Sequence, residues 1–578
     1  MGHAREKKMS TQPASGAFSF LMKENIVAKS GYNRWLVPPA SIAIHMCIGS
    51  VYAWSVFNPA LTRELGIVAS SAEDWTLSSV VWIFSVAIVC LGLAAAFGGK
   101  WLEKVGPRCV GVTAAVLWGG GFVIGSLGIS SHQLWLIYLG YGVLGGAGLG
   151  LGYVSPVSTL IRWFPDRRGM ATGMAIMGFG GGAMIGAPLK QWLLSIYAKA
   201  PDFLGAEGTL NLITDGGRRF AETAAGKVEV IVATAAQAAG IPGGGEAGIY
   251  VVGTGNTGAA ATFMTLGILY FCVMVFASFQ YRVPAEGWAP EGWTPPVAKG
   301  GMVTKNDVHI DEALKTRQFW LLWIVLCFNV TAGIGVIGVA KTMINEIFGD
   351  IVFVTAAFAG TYVLMISVFN MVGRFFWAST SDFIGRKNTY HCFFILGTIL
   401  YLSIPYFASA GGPTALIGFY VATMIIFTMY GGGFATIPAY LADMFGTLHV
   451  GGIHGRLLTA WSTAGVLGPF AITYLRNISK DNAIADLVSK IDPAAFMEKF
   501  GAPVADLAQL VSAKSVTIAQ LMEIAPAGTV DPTSSLYNTT MYCMAALLVI
   551  AFFANLMVRP VNSRHHVEKT HPNTVPAE

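Results

Sequence analysis

Twelve stretches of roughly twenty mostly apolar residues run through this chain, near 35–57, 76–97, 109–128, 133–161, 169–196, 258–281, 318–340, 352–378, 389–409, 413–440, 455–477 and 535–558. About 20 helical residues cross a bilayer core of about 30 Å, and backbone inside hydrocarbon must satisfy its own hydrogen bonds. Runs of this length and number therefore predict a bundle of membrane-spanning helices. The charge content agrees: 12% of the residues are Asp, Glu, Lys or Arg, about half of what a soluble domain carries. An ordinary cytosolic enzyme, a disordered chain and a nucleic-acid binder are excluded. The net charge of +5 is scattered in short clusters between the runs rather than gathered on one face.

Basic residues in the short loops set the orientation. With the N-terminus inside, the inner loops hold Lys100, Lys104, Arg108, Arg162, Arg167, Arg168, Arg386, Lys387 and Arg456, against Arg63 and Lys341 outside. Both termini are expected in the cytoplasm, and a plasma membrane (the bacterial inner membrane) is the expected location. The N-terminal MGHAREKKMSTQPASGAFSF is basic but lacks an apolar core and a small-residue cleavage site. The run beginning near Trp35 therefore reads as an uncleaved insertion signal. The seven cysteines fall in or beside apolar runs without C-x-x-C spacing, which predicts no disulfide, no metal centre and no cofactor.

The two halves of the chain repeat one another. GGKWLEKVGPR, with Gly99, Glu103 and Gly106, recurs 279 positions later as ASTSDFIGRK, with Ala378, Asp382 and Gly385. Pro156 and Pro188 recur as Pro438 and Pro469 at nearly the same offset. A tandem six-helix duplication follows, as in transporters built from two rocking halves. The expected organisation is a cytoplasmic tail 1–34, a first half 35–281, a cytoplasmic linker 282–317, a second half 318–558 and a cytoplasmic tail 559–578. Each half carries an outer insertion before its sixth helix, at 197–257 and 479–534. These read either as two small caps or as loop expansions without a part in transport.

The inner-loop pattern G-x-x-x-[DE]-x-x-G-[RP]-[RK] sets a carboxylate near one helix end beside loop cations. Its members are Gly99, Glu103 and Arg108 in the first copy, and Asp382, Gly385, Arg386 and Lys387 in the second. Together they read as a conformational latch. Carrying this motif in both halves, the chain resembles the major facilitator superfamily across all twelve runs. Glu103 stands where that family has Asp, and Pro107-Arg108 where it has a basic pair, so a looser first latch is expected. Within the superfamily it is similar to the oxalate:formate antiporter family. The matching stretches are GSVYAWSVFNP (Gly49 to Pro59), NVTAGIGVIGVA (Asn329 to Ala340), GGGFATIPAYLADMFG (Gly431 to Gly446) and HGRLLTAWSTAGVLGP (His454 to Pro469). NMVGR (Asn370 to Arg374) also resembles the monocarboxylate-transporter relatives. The resemblance implies an all-α membrane protein of twelve transmembrane helices in two six-helix pseudo-repeats, here with two extracytoplasmic insertions. It also implies secondary transport by alternating access.

Arg374 is the leading candidate for the substrate. It lies eight residues before Asp382, so at 1.5 Å per residue it sits about 12 Å into the membrane, where an arginine costs about 2.5–3.5 kcal/mol to insert. Its own helix offers no acid to neutralise it; Asn370 and Ser367 share its face. A guanidinium so placed suits a carboxylate, which it grips through two parallel hydrogen bonds. A structural pair with a carboxylate of another helix is the alternative. The resemblance implies the substrate role, since family members hold the carboxylate with an arginine here. Oxalate carriers of the family also have a lysine in helix eleven, where this chain has Trp461. A dianion would then leave one charge without a partner in a low dielectric. A monoanion such as formate, lactate, pyruvate or glycolate is favoured. Lys341 and His45 are possible second cations, Lys341 reading more readily as an interfacial lysine.

His45 shares a helical stripe with Gly49 and Tyr52 and reads either as a carrier of a coupling proton or as a hydrogen-bonded structural histidine. Tyr52, Trp461, Tyr141 and Tyr430 are candidate cavity walls, with packing as the plainer role for each. The glycine string 178–183 has the form of a dinucleotide fingerprint but lies inside a membrane run, where spaced small residues instead permit close helix contacts. The expected function is secondary transport of small organic carboxylates, by exchange or linked to protons, at a site between the halves. An oxalate or dicarboxylate exchanger is one alternative; a sensor with a transporter fold but no flux is another. The expected partners are a small organic anion and the lipid bilayer, with no nucleic acid and a monomeric chain. No triad, metal cluster or phosphate loop suggests an enzyme.

Overall fold

The computed structural model describes residues 18–567, apart from 216–217, 224–225, 234–237, 239–240, 242–243, 294–302, 305, 355, 501–502, 513–515 and 517. Twelve long helical segments follow one another: α1 (Arg34–Val56), α2 (Leu77–Val105), α3 (Pro107–Ser130), α4 (Leu134–Trp163), α5 (Arg168–Tyr197) and α6 (Ala259–Gln280). The second set is α7 (Arg317–Phe348), α8 (Ala356–Ile384), α9 (Arg386–Ala410), α10 (Gly412–Phe445), α11 (Thr459–Lys490) and α12 (Asn538–Leu556). Among the described residues, 11 segments are long and apolar enough to cross a membrane. The remaining expected run, 455–477, lies mostly within α11. It falls short because α11 opens on Thr459, Ser462 and Thr463 and meets Arg476, Lys480 and Asp481 before its end.

Two of the helix joints need glycine. Gly106 and Gly385 separate α2 from α3 and α8 from α9 as single residues, at φ +92° and +84°. A side chain there would be strained. Two of the spans are irregular. α1 is regular to Gly49 and then tightens into a 3-10 stretch, Ser50–Val56, in which Ala53 leaves helical geometry (φ −92°, ψ 24°). α4 carries a wide turn at Tyr138–Gly145, where a Cβ on Gly140 would meet the Gly121 carbonyl at 2.7 Å. Interior prolines at 156, 188, 405, 438 and 469 are accommodated, as neighbouring helices allow in membranes.

The insertions match in length but not in structure. The first, expected either as a small cap or as a loop expansion, folds into an antiparallel sheet of β1 (Phe203–Gly205), β2 (Leu212–Asp215), β3 (Arg218–Thr223), β4 (Gly226–Ala233) and β5 (Gly248–Val251), in the order β1-β5-β4-β3-β2. One small core joins Ala221, Val230 and Ile249. A second joins Val68, from the loop after α1, to Ala233 and Tyr250. The period-two run VEVIVA (228–233) carried this signal. The second insertion is helical: α11 runs on to Lys490, and Pro493–Phe500, Leu507–Ser512 and Ile518–Met522 follow.

By internal contacts the chain divides into two units. One runs to Phe319 and adds Ala435–Ser462 and the residues from Arg559; the other is Trp320–Phe434 with Thr463–Val558. The sequence repeat would assign Ala435–Ser462 to the second half. It groups with the first because the end of α2 and the start of α5 bind it, as described next.

Candidate functional site

In the second unit the chemistry centres on Arg374 of α8, which is fully buried. Its Nε donates to Asn370 Oδ1 at 2.9 Å, one helical turn earlier. The guanidinium carbon stands 5.4 Å from the Phe434 ring centroid of α10, a cation–π contact that strengthens in a desolvated setting. Glycines of α10 make room here. A Cβ on Gly431 would strike Asn370, Oδ1 at 2.6 Å, and one on Gly433 would strike Asn329 Nδ2 of α7. Tyr430, 2% exposed, packs its ring on Gly333 of α7 and 5.4 Å from Phe434. Arg374, Asn370 and Tyr430 therefore belong to one neighbourhood, to which the structure adds Asn329 and Phe434.

The first unit assembles an aromatic group. Trp461, fully buried, has ring centroids of Tyr153 and Phe179 at 5.3 and 5.4 Å and of Tyr52 at 6.2 Å. His45 stands 5.2 Å from Tyr153. The His45 Nδ1 lies 2.5 Å from the Ala175 carbonyl oxygen and Nε2 3.2 Å from that of Tyr153. Both partners are acceptors, and a neutral ring donates to one of them according to its tautomer. Tyr141 stands apart from this group, packed against Trp54, Trp118 and Phe122 with centroids 4.4–5.3 Å away.

The two latch motifs share one job and differ in another. In each, the last basic residue closes the C-terminus of its half's sixth helix. Arg108 donates to the carbonyls of Phe279 and Tyr281, both at 3.1 Å, and of Phe20 at 2.9 Å. Lys387 donates to those of Leu556 and Val558 at 2.9 and 2.8 Å. A cation there also answers the negative end of the helix dipole. The carboxylates diverge. Asp382 pairs with Arg386 at 2.6 Å, across the Gly385 turn. Pro107 occupies the matching place in the first copy, and Glu103 turns instead to the short helix Val450–Leu457: His449 Nδ1 lies 2.9 Å from Oε2, and the Gly452 N–H donates to Oε1 at 3.0 Å. Gly99 allows this approach, since a Cβ would fall 2.6 Å from the Gly451 carbonyl oxygen. Arg168 pairs with Asp443 at 2.9 Å nearby. Asp311 bridges Arg456 (2.7 Å) and Lys100 (3.2 Å), and those two cations hold its carboxyl down to about 2.

Sequence reasoning passed over two buried titratable groups of the first unit. Lys190 of α5, fully buried, donates to the Ser50 carbonyl at 2.7 Å and stands 4.8 Å from the Phe57 ring. A lysine about 10 Å from a helix end reads as a snorkelling residue in sequence. Glu64 lines a cavity of about 480 Å³ with His132, Tyr197 and Asn256. Burial pushes its carboxyl up to about 7, against the bond it accepts from Thr257 Oγ1. The side chain of Lys341, weighed as a second cation, lies outside the described residues.

Solved structures and known families resemble this arrangement. A bacterial homologue of the iron transporter ferroportin, solved outward-facing, aligns with a TM-score of 0.53 over 90% of this chain and 98% of its own, at 9% identity. The Major Facilitator Superfamily transporter FucP, also outward, gives 0.52 over 90% and 99%, at 12% identity. The family description Major Facilitator Superfamily itself matches residues 40–201. The chain has the fold of these transporters, and its first half carries the likeness to the superfamily. That fold and 11 apolar spans among the described residues are those of a multi-pass membrane protein. Its relatives include the oxalate:formate antiporter of Oxalobacter formigenes, 25% identical over 442 residues, 75% of this chain and 83% of that one. Apicoplast pyruvate carrier 1 of Toxoplasma gondii is 22% identical over 72% of this chain and 78% of its own. Monocarboxylate transporter 13 of Rattus norvegicus is 36% identical over a shorter stretch, 26% of this chain and 36% of its own.

Proposed function

We propose that this protein moves small organic carboxylates across a plasma membrane, by exchange or with a proton, and that Arg374 takes the carboxylate. One observation carries the reading: a fully buried guanidinium in a membrane helix, its Nε aimed by Asn370. Orienting Nε fixes the plane of the fork, and a planar fork is what a carboxylate accepts. The pyruvate carrier and monocarboxylate transporter relatives support the substrate class. Trp461, buried among rings where oxalate carriers of the family have lysine, supports a monoanion. Excess basic residues in the inner loops support cytoplasmic termini. The Oxalobacter relative favours a second reading, exchange of oxalate or another dicarboxylate.

Counterflow by the purified protein in proteoliposomes tests both. Formate, lactate or pyruvate is expected to exchange, and Arg374→Ala to abolish it. Brisk oxalate exchange with the monocarboxylates ignored would favour the second reading, and undiminished exchange in Arg374→Ala would remove Arg374 from the site. Binding without flux would instead mark a sensor.

A further inference from the structure

Among the described residues, no counter-charge is found for the buried ammonium of Lys190 on its own helix or on those of its unit that pack against it. α5 packs against α1, α4 and α6, and none of these four helices contains an aspartate or glutamate. The titratable groups offered within the membrane from the neighbouring helices are His45, Cys47 and Tyr52 of α1, Tyr138, Tyr141 and Tyr153 of α4, and Tyr270 and Cys272 of α6; none is an acid of carboxylate strength. Among the described residues Lys190 makes two polar contacts, with the Ser50 carbonyl and the Phe57 ring. The Ser50 carbonyl lies where α1 passes from α-helix into a 3-10 stretch, Ser50–Val56. Carbonyls at breaks in membrane helices are a recurrent seat for coupling cations. The same stretch carries Trp54, 4% exposed, whose indole N–H has no acceptor among the described residues.

A charge-assisted hydrogen bond and a desolvated cation–π contact offset only part of the cost of dehydrating an unpaired ammonium. The balance lets the site hold the ammonium in one part of a cycle and the neutral amine in another. Building on the carboxylate reading above, we propose that Lys190 is the proton-carrying residue of this transporter. A proton from water on one side of the membrane adds to the Nζ lone pair, making the ammonium that donates to the Ser50 carbonyl. It leaves to water on the other side, returning the neutral amine, and no other bond is made or broken.

The test uses the full-length protein in proteoliposomes with radiolabelled formate and pyruvate, each measured as counterflow exchange and as uptake driven by an imposed pH gradient, alkaline inside. In the wild-type protein the gradient is expected to raise uptake at least tenfold. In Lys190→Gln and in Lys190→Arg that gain is expected to vanish, since neither side chain alternates between charged and neutral. Restored gradient-driven uptake in Lys190→Arg would show a structural cation and overturn the proposal. Wild-type exchange indifferent to the gradient would overturn it without any variant, while leaving the carboxylate reading intact. If neither carboxylate is exchanged or taken up, the carboxylate reading falls and the Lys190 proposal falls with it.

Discussion

The Nε of Arg374 donates to Asn370 Oδ1 at 2.9 Å, so an uncharged neighbour one helical turn away fixes the plane of the guanidinium. Asn370→Ala removes the acceptor and leaves a buried donor to be satisfied elsewhere, an effect of about 1–1.5 kcal/mol. The KM for formate or pyruvate exchange is expected to rise roughly 5- to 10-fold with little change in maximal rate. Arg374→Ala is expected to reduce exchange at least about 30-fold, because truncating one partner of a buried charge pair costs about 2–5 kcal/mol. A fall in maximal rate at constant KM in Asn370→Ala would count against its orienting role.

Glu103 holds the short helix Val450–Leu457 through Gly452 N–H and His449, and Gly99 sets the distance. Gly99→Ala puts a methyl 2.6 Å from the Gly451 carbonyl oxygen and 2.7 Å from Gly452 Cα. Both are backbone atoms, so the helices must separate, at about 1–3 kcal/mol. The melting temperature in detergent is expected to fall and exchange to slow. Glu103→Gln keeps one oxygen for Gly452 and is expected to do less harm than Glu103→Ala. Equal melting temperatures for Gly99→Ala and wild type would refute the close contact.

Trp461 fills the space between Tyr153, Phe179 and Tyr52. Trp461→Ala should destabilise the protein by about 3–5 kcal/mol, as large aromatic truncations in cores do. Trp461→Phe should cost less, since Phe keeps part of the ring contact. Thermal unfolding of the two variants side by side measures the difference; equal losses would mean the indole is not what fills the site.

Glu64 gives a pH signature outside the membrane spans. Burial raises its carboxyl from 4.5 to about 7 in the folded protein. A raised acid stabilises the fold fully below its unfolded value and loses that contribution as pH rises through its folded value. Stability is therefore expected to fall between about pH 4.5 and 7, by at most about 3 kcal/mol at 1.36 kcal/mol per unit. Glu64→Gln, uncharged throughout, should flatten that part of the curve. A melting temperature of Glu64→Gln that drops as steeply as wild type over this range would assign the effect to another group.

Much of this protein is written locally. Runs of apolar residues force helices wherever they cross a bilayer, because unpaired backbone is too costly in hydrocarbon. Gly106 and Gly385 mark their joints by a backbone angle that other residues resist, and the twofold motif announces the duplication. Arg374 and Asn370 were legible as a pair because four residues make one helical turn. The β1–β5 sheet was legible in principle, from the alternation at 228–233, but not from a reading set on helices. What only the tertiary structure decided depends on distant chain segments meeting. Glu103 bonds His449, 346 positions away, because Pro107 denies it the local arginine that Asp382 has. Trp461 draws Tyr52, Tyr153 and Phe179 around it, while Tyr141 packs into another group. Lys190, which sequence alone would send to the interface, is buried and donates to the Ser50 carbonyl, where α1 passes into its 3-10 stretch. Sequence spacing fixes which residues share a helix face; which faces meet, and so which charges are left to the interior, is settled by packing across the fold.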